Sequence, residues 1–356
     1  MAEDDLRFGL FDIMQVLPEQ SSQRAYAEHL ADTVVADGSG LDYYFVAERH
    51  FMPLYRSTAP SVWLAAVAAR TKRIRLGAMA YTMPLHNPVQ LAEEISMLDH
   101  LSGGRLEVGI GLGHRVEELM SMGVDPTYRQ PLMLEGIVLM TRAWRGEPFS
   151  HPGQVYQYDN VYVEAPLQRP HPPLWFAGND PEAIGWAARN GLSVAVGFQP
   201  DSRLAVPASA YRAAETTGTA ATAGAGPQLA LMRHLYVAES DERAMDEMTK
   251  DIMQIGAHFA TIPHGINAAP PGKMTHDQAR ASIHQLIEND VMIAGSPETC
   301  AQRLAQTARR LNLDVFLANP YMTGVESRRV RRTIRLLAST VGPRVEQLLA
   351  SDPPEA

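Results

Sequence analysis

The chain has 356 residues, 46% of them hydrophobic, with 40 acidic side chains against 31 basic ones and a formal net charge of −9. That length allows one large core or two modest ones, and an acidic balance without long blocks of like charge excludes a nucleic-acid footprint and a polybasic membrane patch. A single cysteine, Cys300, excludes an internal disulfide.

The acidic start, Met1-Ala2-Glu3-Asp4-Asp5, runs directly into the apolar residues 7–12. It resembles neither a signal peptide nor a membrane span, so the expectation is a cytoplasmic protein acting on a small molecule. Residues 7–12 fit a buried first strand, and Ser21 or Ser22 caps a helix that continues to about Val35. Asp37-Gly38-Ser39-Gly40 then closes the helix and turns the chain into a second strand. Three apolar runs follow, at residues 42–47, 74–80 and 106–110, separated by helical patterns at 59–70 and 88–101. Pro60 and Pro88 suit the first turns of those helices, and Lys72-Arg73 puts positive charge at the negative end of the first. Strands alternating with helices of this length are βαβ units, which require a parallel sheet covered on both faces.

Helical stretches at 115–122 and 129–145 come next. Residues 149–165 alternate Tyr156, Tyr158, Val161 and Val163 around Asp159-Asn160, which predicts a hairpin inserted before the fifth strand. Strands five and six are expected at 174–178 and 192–198, with Asn179-Asp180-Pro181-Glu182 opening the helix between them and Gly191 ending it. Residues 205–225 read as a helix that gives way to a loop, and 229–237 as the seventh strand, with Ala238-Glu239-Ser240 starting another helix. Residues 258–278 carry prolines and glycines without hydrophobic period, and are a candidate active-site lid. An apolar run at 291–295, a helix over 296–310 in which Cys300 is a small buried hydrophobe, the eighth strand at 314–318 and a last helix over 327–338 finish the pattern. No linker divides residues 1–356, so the expected fold is one α/β domain, a (β/α)8 TIM barrel with a hairpin before strand five and a mobile loop after strand seven.

Ligands of such folds sit at the carboxyl ends of the strands. Those ends carry Glu48-Arg49-His50-Phe51, Tyr81-Thr82-Met83-Pro84 and Gly111-Leu112-Gly113-His114, which suggests one shared pocket. An imidazole at His50 could act as acid or base near neutral pH, the bland alternative being a structural His50 paired with Glu48 beside a surface Arg49. The remaining histidines lack metal-ligand spacing, so no metal is expected. No nucleophile elbow occurs, and Gly109-Ile110-Gly111-Leu112-Gly113 is not a dinucleotide fingerprint.

Ala47-Glu48-Arg49-His50-Phe51, Leu76-Gly77 through Pro84, Ala92-Glu93-Glu94 through Leu98-Asp99, Leu101-Ser102-Gly103-Gly104-Arg105, Gly178-Asn179-Asp180-Pro181-Glu182 and Gly295-Ser296-Pro297-Glu298 occur in this order. From Arg7 to about Thr340 the chain thereby resembles the bacterial luciferase-like, flavin-dependent monooxygenases. The resemblance implies reduced FMN supplied by a separate reductase, its reaction with O2 at the barrel mouth, oxidation of a small organic substrate, and a homodimer. It implies catalytic roles for His50 and Arg49; luciferase has two adjacent histidines here, and Arg49 replaces the first, which suits it to a carboxylate or an anionic flavin. Met79-Ala80 falls where the family has a non-proline cis peptide under the flavin, and Phe198 where luciferase has a tryptophan near the ring. Arg129 matches a phosphate-contacting arginine, whereas Leu112 replaces another. Gly178, Asn179 and Asp180 stand where relatives hold phosphate with small hydroxyl residues, and Asp180 would cap the helix itself and repel a phosphate. The alternatives are a deazaflavin-dependent oxidoreductase of the same superfamily and a barrel that has lost flavin chemistry and serves as a binding protein.

Overall fold

The structure, a computed structural model, describes residues 6–17, 19–214, 226–255, 275–322 and 324–351. β1 (Arg7–Asp12), α1 (Ser22–Ser39), β2 (Tyr43–Val46), α2 (Pro60–Arg70), β3 (Arg75–Thr82) and α3 (Pro88–Ser102) form the first three βα units. β4 (Leu106–Gly111) leads to α4 (Val116–Ser121), α5 (Arg129–Ala143) and the antiparallel pair β5 (Phe149–Pro152) and β6 (Gln157–Val161). Alternation resumes with β7 (Leu174–Ala177), α6 (Pro181–Arg189), β8 (Ser193–Gly197) and α7 (Asp201–Ala213). β9 (Leu229–Val237), α8 (Asp241–Ile255), α9 (His276–Glu288), β10 (Met292–Gly295) and α10 (Pro297–Leu311) follow. β11 (Val315–Asn319), α11 (Ser327–Leu336) and α12 (Gly342–Ser351) complete the described chain.

Parallel pairing in the order β1-β2-β3-β4-β7-β8-β9-β11 closes back on β1, giving the expected eight-stranded barrel. β10 lies outside the ring: it pairs with the distal half of β9, Met292 to His234 through Gly295 to Val237. Helix boundaries follow local chemistry. Ser21 caps α1 by accepting from the Arg24 N–H, Asn87 caps α3 through Val89 and Gln90, and Gly40 and Gly103 end these helices in the left-handed conformation.

Period-two alternation divides the barrel residues between two cores. Leu10, Tyr44, Leu76, Val108 and Phe316 face the helices, whereas Phe11, Phe45, Met79, Trp175, Met232 and Leu317 fill the lumen. Polar residues close the amino-terminal end of that lumen. Buried Glu107 accepts from Trp175 Nε1 at 2.6 Å and pairs with Arg75, while the Tyr43 hydroxyl accepts from Arg7 and donates to Gln228, both at 2.9 Å. These groups satisfy one another, so a ligand enters from the opposite mouth.

Three sequence expectations need correction. The hairpin turn lies at Gly153–Tyr156, closed by the Gly153 N–H on the Tyr156 carbonyl at 3.1 Å; Asp159-Asn160 sits inside β6, where Asn160 takes φ 48°. Its position is set by Glu135 on α5, which accepts from the Val155 and Tyr156 N–H groups and meets the His151 ring. Second, the stretch at 258–278 ends in a helix: Thr275 and Gln278 form a reciprocal capping box that starts α9. The rest of that candidate lid, through residue 274, lies outside the described residues, as does 215–225. Third, the chain continues past 338 through a π-helical turn, Leu337–Val341, into α12. No helix among the described residues is long and apolar enough to cross a membrane.

Candidate active site

The carboxyl ends of β2 and β3 converge on Glu48, which is 2% exposed. Its carboxylate accepts from the Thr82 N–H and meets the Nε2 atoms of His50 at 3.0 Å and His86 at 2.9 Å. Burial works to raise the Glu48 pKa, but the hydrogen bonds from His50, His86 and Thr82 outweigh it and hold it at about 2. The same carboxylate raises the pKa of His50 against an opposing effect of burial. The pair is thus a carboxylate held ionised down to about pH 2 that orients an imidazole and favours its protonated form, the arrangement that acid-base work requires. His86 is the member that the sequence pattern missed. It stands where Asn87-Pro88 opens α3, and only the pairing of β2 with β3 brings it to Glu48.

Arg49, expected as a surface residue in the bland reading, is partly buried. It donates to the Glu48 carbonyl at 2.9 Å and makes no ion pair among the described residues. Burial lowers its pKa, with Glu118 and Tyr55 opposing. α4, reached through the turn after β4, holds this loop in place: Glu118 accepts from the His50 N–H at 3.3 Å and from Arg115 at 2.9 Å. Arg129, the first residue of α5, donates to the Gly113 carbonyl in that turn at 3.4 Å, so His50, Arg49 and Arg129 border one feature.

Met79-Ala80 is a cis peptide, and the β3–β4 register shifts between Ala78 and Tyr81. The strands are tightly apposed here, since a Cβ on Gly109 would stand 2.2 Å from the Ala78 carbonyl oxygen. Met79 belongs to the lumen cluster, and Phe198, Tyr55 and Ala177 pack against that cluster from the mouth. Phe198, with φ 55°, lies 5.7 Å from the Phe11 ring and 5.1 Å from the His234 ring. Gly178, Asn179 and Asp180 are tied to β8 and α6. The Asn179 amide donates to the Gly197 carbonyl and accepts from its N–H, both at 3.0 Å, while Asp180 caps α6 through the Ala183 N–H at 2.9 Å. No group of His, Cys, Asp and Glu among the described residues could hold a metal ion. Cys300 is fully buried, and burial raises its thiol to about 12, as suits a core residue.

The sequence model of the family described as luciferase-like monooxygenase matches residues 6–314. The chain belongs to the luciferase-like monooxygenase family. This luciferase-like monooxygenase is thus an oxidoreductase, and its barrel is the family's. An uncharacterized Sinorhizobium fredii protein, y4wF, is 36% identical over 82% of this chain and 83% of its own. The oxygenase component of a flavin-dependent trigonelline monooxygenase from Acinetobacter baylyi is 31% identical over 71% of this chain and 72% of its own. Among solved structures, the monooxygenase RslO1 from Streptomyces bottropensis superposes with a TM-score of 0.81 at 23% identity, covering 95% of this chain and 99% of its own. The FMN complex of the oxygenating constituent of 3,6-diketocamphane monooxygenase from Pseudomonas putida gives 0.78 at 18% identity, covering 96% and 98%. These two structural likenesses establish the fold.

Proposed function

We propose that this luciferase-like monooxygenase is the oxygenase component of a two-component system that works in the cytoplasm. It takes reduced FMN from a separate reductase and uses O2 to oxidise a small organic substrate. The observation that carries this reading is the Glu48–His50 pair, with His86 behind it, at the same mouth as the apolar wall of Met79, Ala177 and Phe198. An apolar wall beside the cations Arg49 and Arg129 fits a planar ring system with an anionic tail. The flavin, when bound, supplies the electrons that activate dioxygen.

The chain's own residues bind, orient and move protons. Met79, Ala80 and Phe198 offer their surfaces to the ring, and Arg129 offers its guanidinium to the phosphate. Gly178, Asn179 and Asp180 border the tail, with Asp180 contributing repulsion that weakens this part of the site. His50 Nε2 pairs with Glu48, which fixes the orientation of that ring, and Nδ1 is the atom at which His50 would hold or release a proton. Arg49 stabilises negative charge on the substrate or the ring.

The test is a titration of reduced FMN under anaerobic conditions, repeated with reduced deazaflavin. Wild-type protein should bind reduced FMN. Arg129→Ala should weaken it at least about tenfold, a loss of roughly 1.5 to 3 kcal/mol for a charge-assisted contact. Asp180→Ser, which keeps a capping side chain, should tighten it. Binding of deazaflavin instead of FMN would select the hydride-transfer alternative, and binding of neither would select the non-catalytic one.

A further inference from the structure

The mouth holds a second group of polar atoms, on the wall away from Glu48. β9 and β11 run side by side, with Ala230 paired to Val315, Met232 to Leu317 and His234 to Asn319. The first two pairs belong to the lumen cluster, and the period of two carries His234 and Asn319 to the same face, one step nearer the mouth. The Phe198 ring, 5.1 Å from the His234 ring, confirms the placement of that histidine. Asn319 is fully buried, and its Oδ1 accepts from the Tyr321 N–H at 2.9 Å, which leaves Nδ2 as the free end of the amide. Asn319 Nδ2 and His234 Nδ1 are buried without a hydrogen bond of good geometry among the described residues, the His234 ring having only the Asn319 backbone carbonyl beside it. The opposite end of the lumen, by contrast, satisfies its Glu107 and Tyr43 internally. Buried polar atoms left unpaired at a mouth call for a ligand that pairs them.

Ring order decides which ligand. β9 is the seventh strand of the ring and β3 the third, so His234 faces Met79-Ala80 from the diametrically opposite wall, and Asn319 adjoins it on the eighth strand. On the reading proposed above, the flavin lies on the β3 side, and the β9–β11 side is left to the substrate. Burial drives the His234 pKa down to about 4, so its imidazole is neutral near pH 7 and offers no ion pair to a carboxylate. Negative charge on a ligand belongs instead at Arg49.

We propose that His234 and Asn319 are specificity-determining residues that hold a neutral carbonyl or hydroxyl oxygen of the organic substrate, the oxygen accepting from Asn319 Nδ2 and pairing with His234 Nδ1. This inference rests on the flavin reading for the placement of the two ligands. A site built to pair such an oxygen rejects an analogue that lacks it, because its own polar atoms are then left unsatisfied.

The experiment measures binding of three matched probe pairs to FMN-loaded protein by calorimetry: acetophenone with ethylbenzene, cyclohexanone with cyclohexane, and 4-ethylphenol with ethylbenzene. FMN affinity is read separately. For at least one pair, wild-type protein should prefer the oxygenated member by at least about tenfold. His234→Phe and Asn319→Leu should each abolish that preference while leaving hydrocarbon and FMN affinities unchanged. Should Asn319→Leu fail to fold, because Tyr321 loses its partner, His234→Phe and the nitrogen-15 shift of the His234 ring on adding the oxygenated probe decide the matter. Absence of any preference in wild-type protein, equal losses for both members of a pair, or loss of FMN affinity in the variants would overturn the assignment. A protein that binds no FMN but keeps the preference would overturn the flavin reading alone.

Discussion

At Glu48, burial and hydrogen bonding act in opposite directions and hydrogen bonding wins. A carboxyl lowered from 4.5 to about 2 stabilises the folded state on the order of 3 kcal/mol, fully present above pH 4.5 and lost as pH falls toward 2. His50 acts in the other direction. Its pKa is raised above 6.5, so its contribution is complete below that pH and fades as pH climbs through the raised value. Glu48→Gln should therefore destabilise the protein by that order of magnitude at neutral pH, and the gap from wild type should shrink on acidification below 4.5. Guanidinium unfolding at a series of pH values measures this, and a gap independent of pH would show that Glu48 is not held as an anion. The sequence made Glu48 visible only as a possible partner of His50. His86, 38 positions away, carried no local signal, because its role depends on how β2 pairs with β3.

At the level of elements, the turn of the β5–β6 hairpin is held by one side chain of α5, while Phe149 and the Tyr158–Asn87 hydrogen bond anchor its strands. Glu135 accepts from the Tyr156 N–H at 2.9 Å and the Val155 N–H at 3.1 Å, and meets His151 Nε2 at 3.0 Å. Burial opposes its ionisation, but the backbone and His151 bonds lower its pKa overall. Glu135→Ala should accordingly loosen the hairpin, losing about 1 to 3 kcal/mol, while the ring of parallel strands stays intact. Hydrogen exchange at the Val155 and Tyr156 amides should accelerate well beyond that of the β3 and β4 amides. Uniform acceleration everywhere would mean that Glu135 supports the whole barrel. The alternation of tyrosines and valines revealed that a hairpin exists, but its turn followed Glu135 on another helix and so could not be read locally. α9 was overlooked for a different reason: its capping-box residues lie at the end of an aperiodic, proline-rich stretch.

For the whole molecule, the exposed surface points to self-association. α2 and α3 carry Val62, Met97 and Leu101, exposed at 74%, 66% and 60%. Apolar side chains this exposed on neighbouring helices are what a protein interface covers, and we expect a homodimer paired through that face. Sedimentation should give a dimer at micromolar concentration, and Met97→Glu should shift it toward monomer. A wild-type monomer would remove the expectation.

The sequence by itself determined the barrel, because hydrophobic period, helix caps and glycine stops are local, and their alternation leaves a closed parallel sheet as the arrangement that buries every strand. It also determined the Asp180 cap, since a side chain three residues from the amide it accepts needs no tertiary partner. Closure of the ring decided the rest. Bringing β2 against β3 added His86, distant in the chain, to the local Glu48–His50 pair and so gave one carboxylate two imidazoles. Setting β9 beside β11 left two buried nitrogens, His234 Nδ1 and Asn319 Nδ2, without a well-formed hydrogen bond at one mouth, a property of neither strand alone. Strand pairing joins residues across distances that no local pattern encodes, and at this mouth the pairing supplies the chemistry.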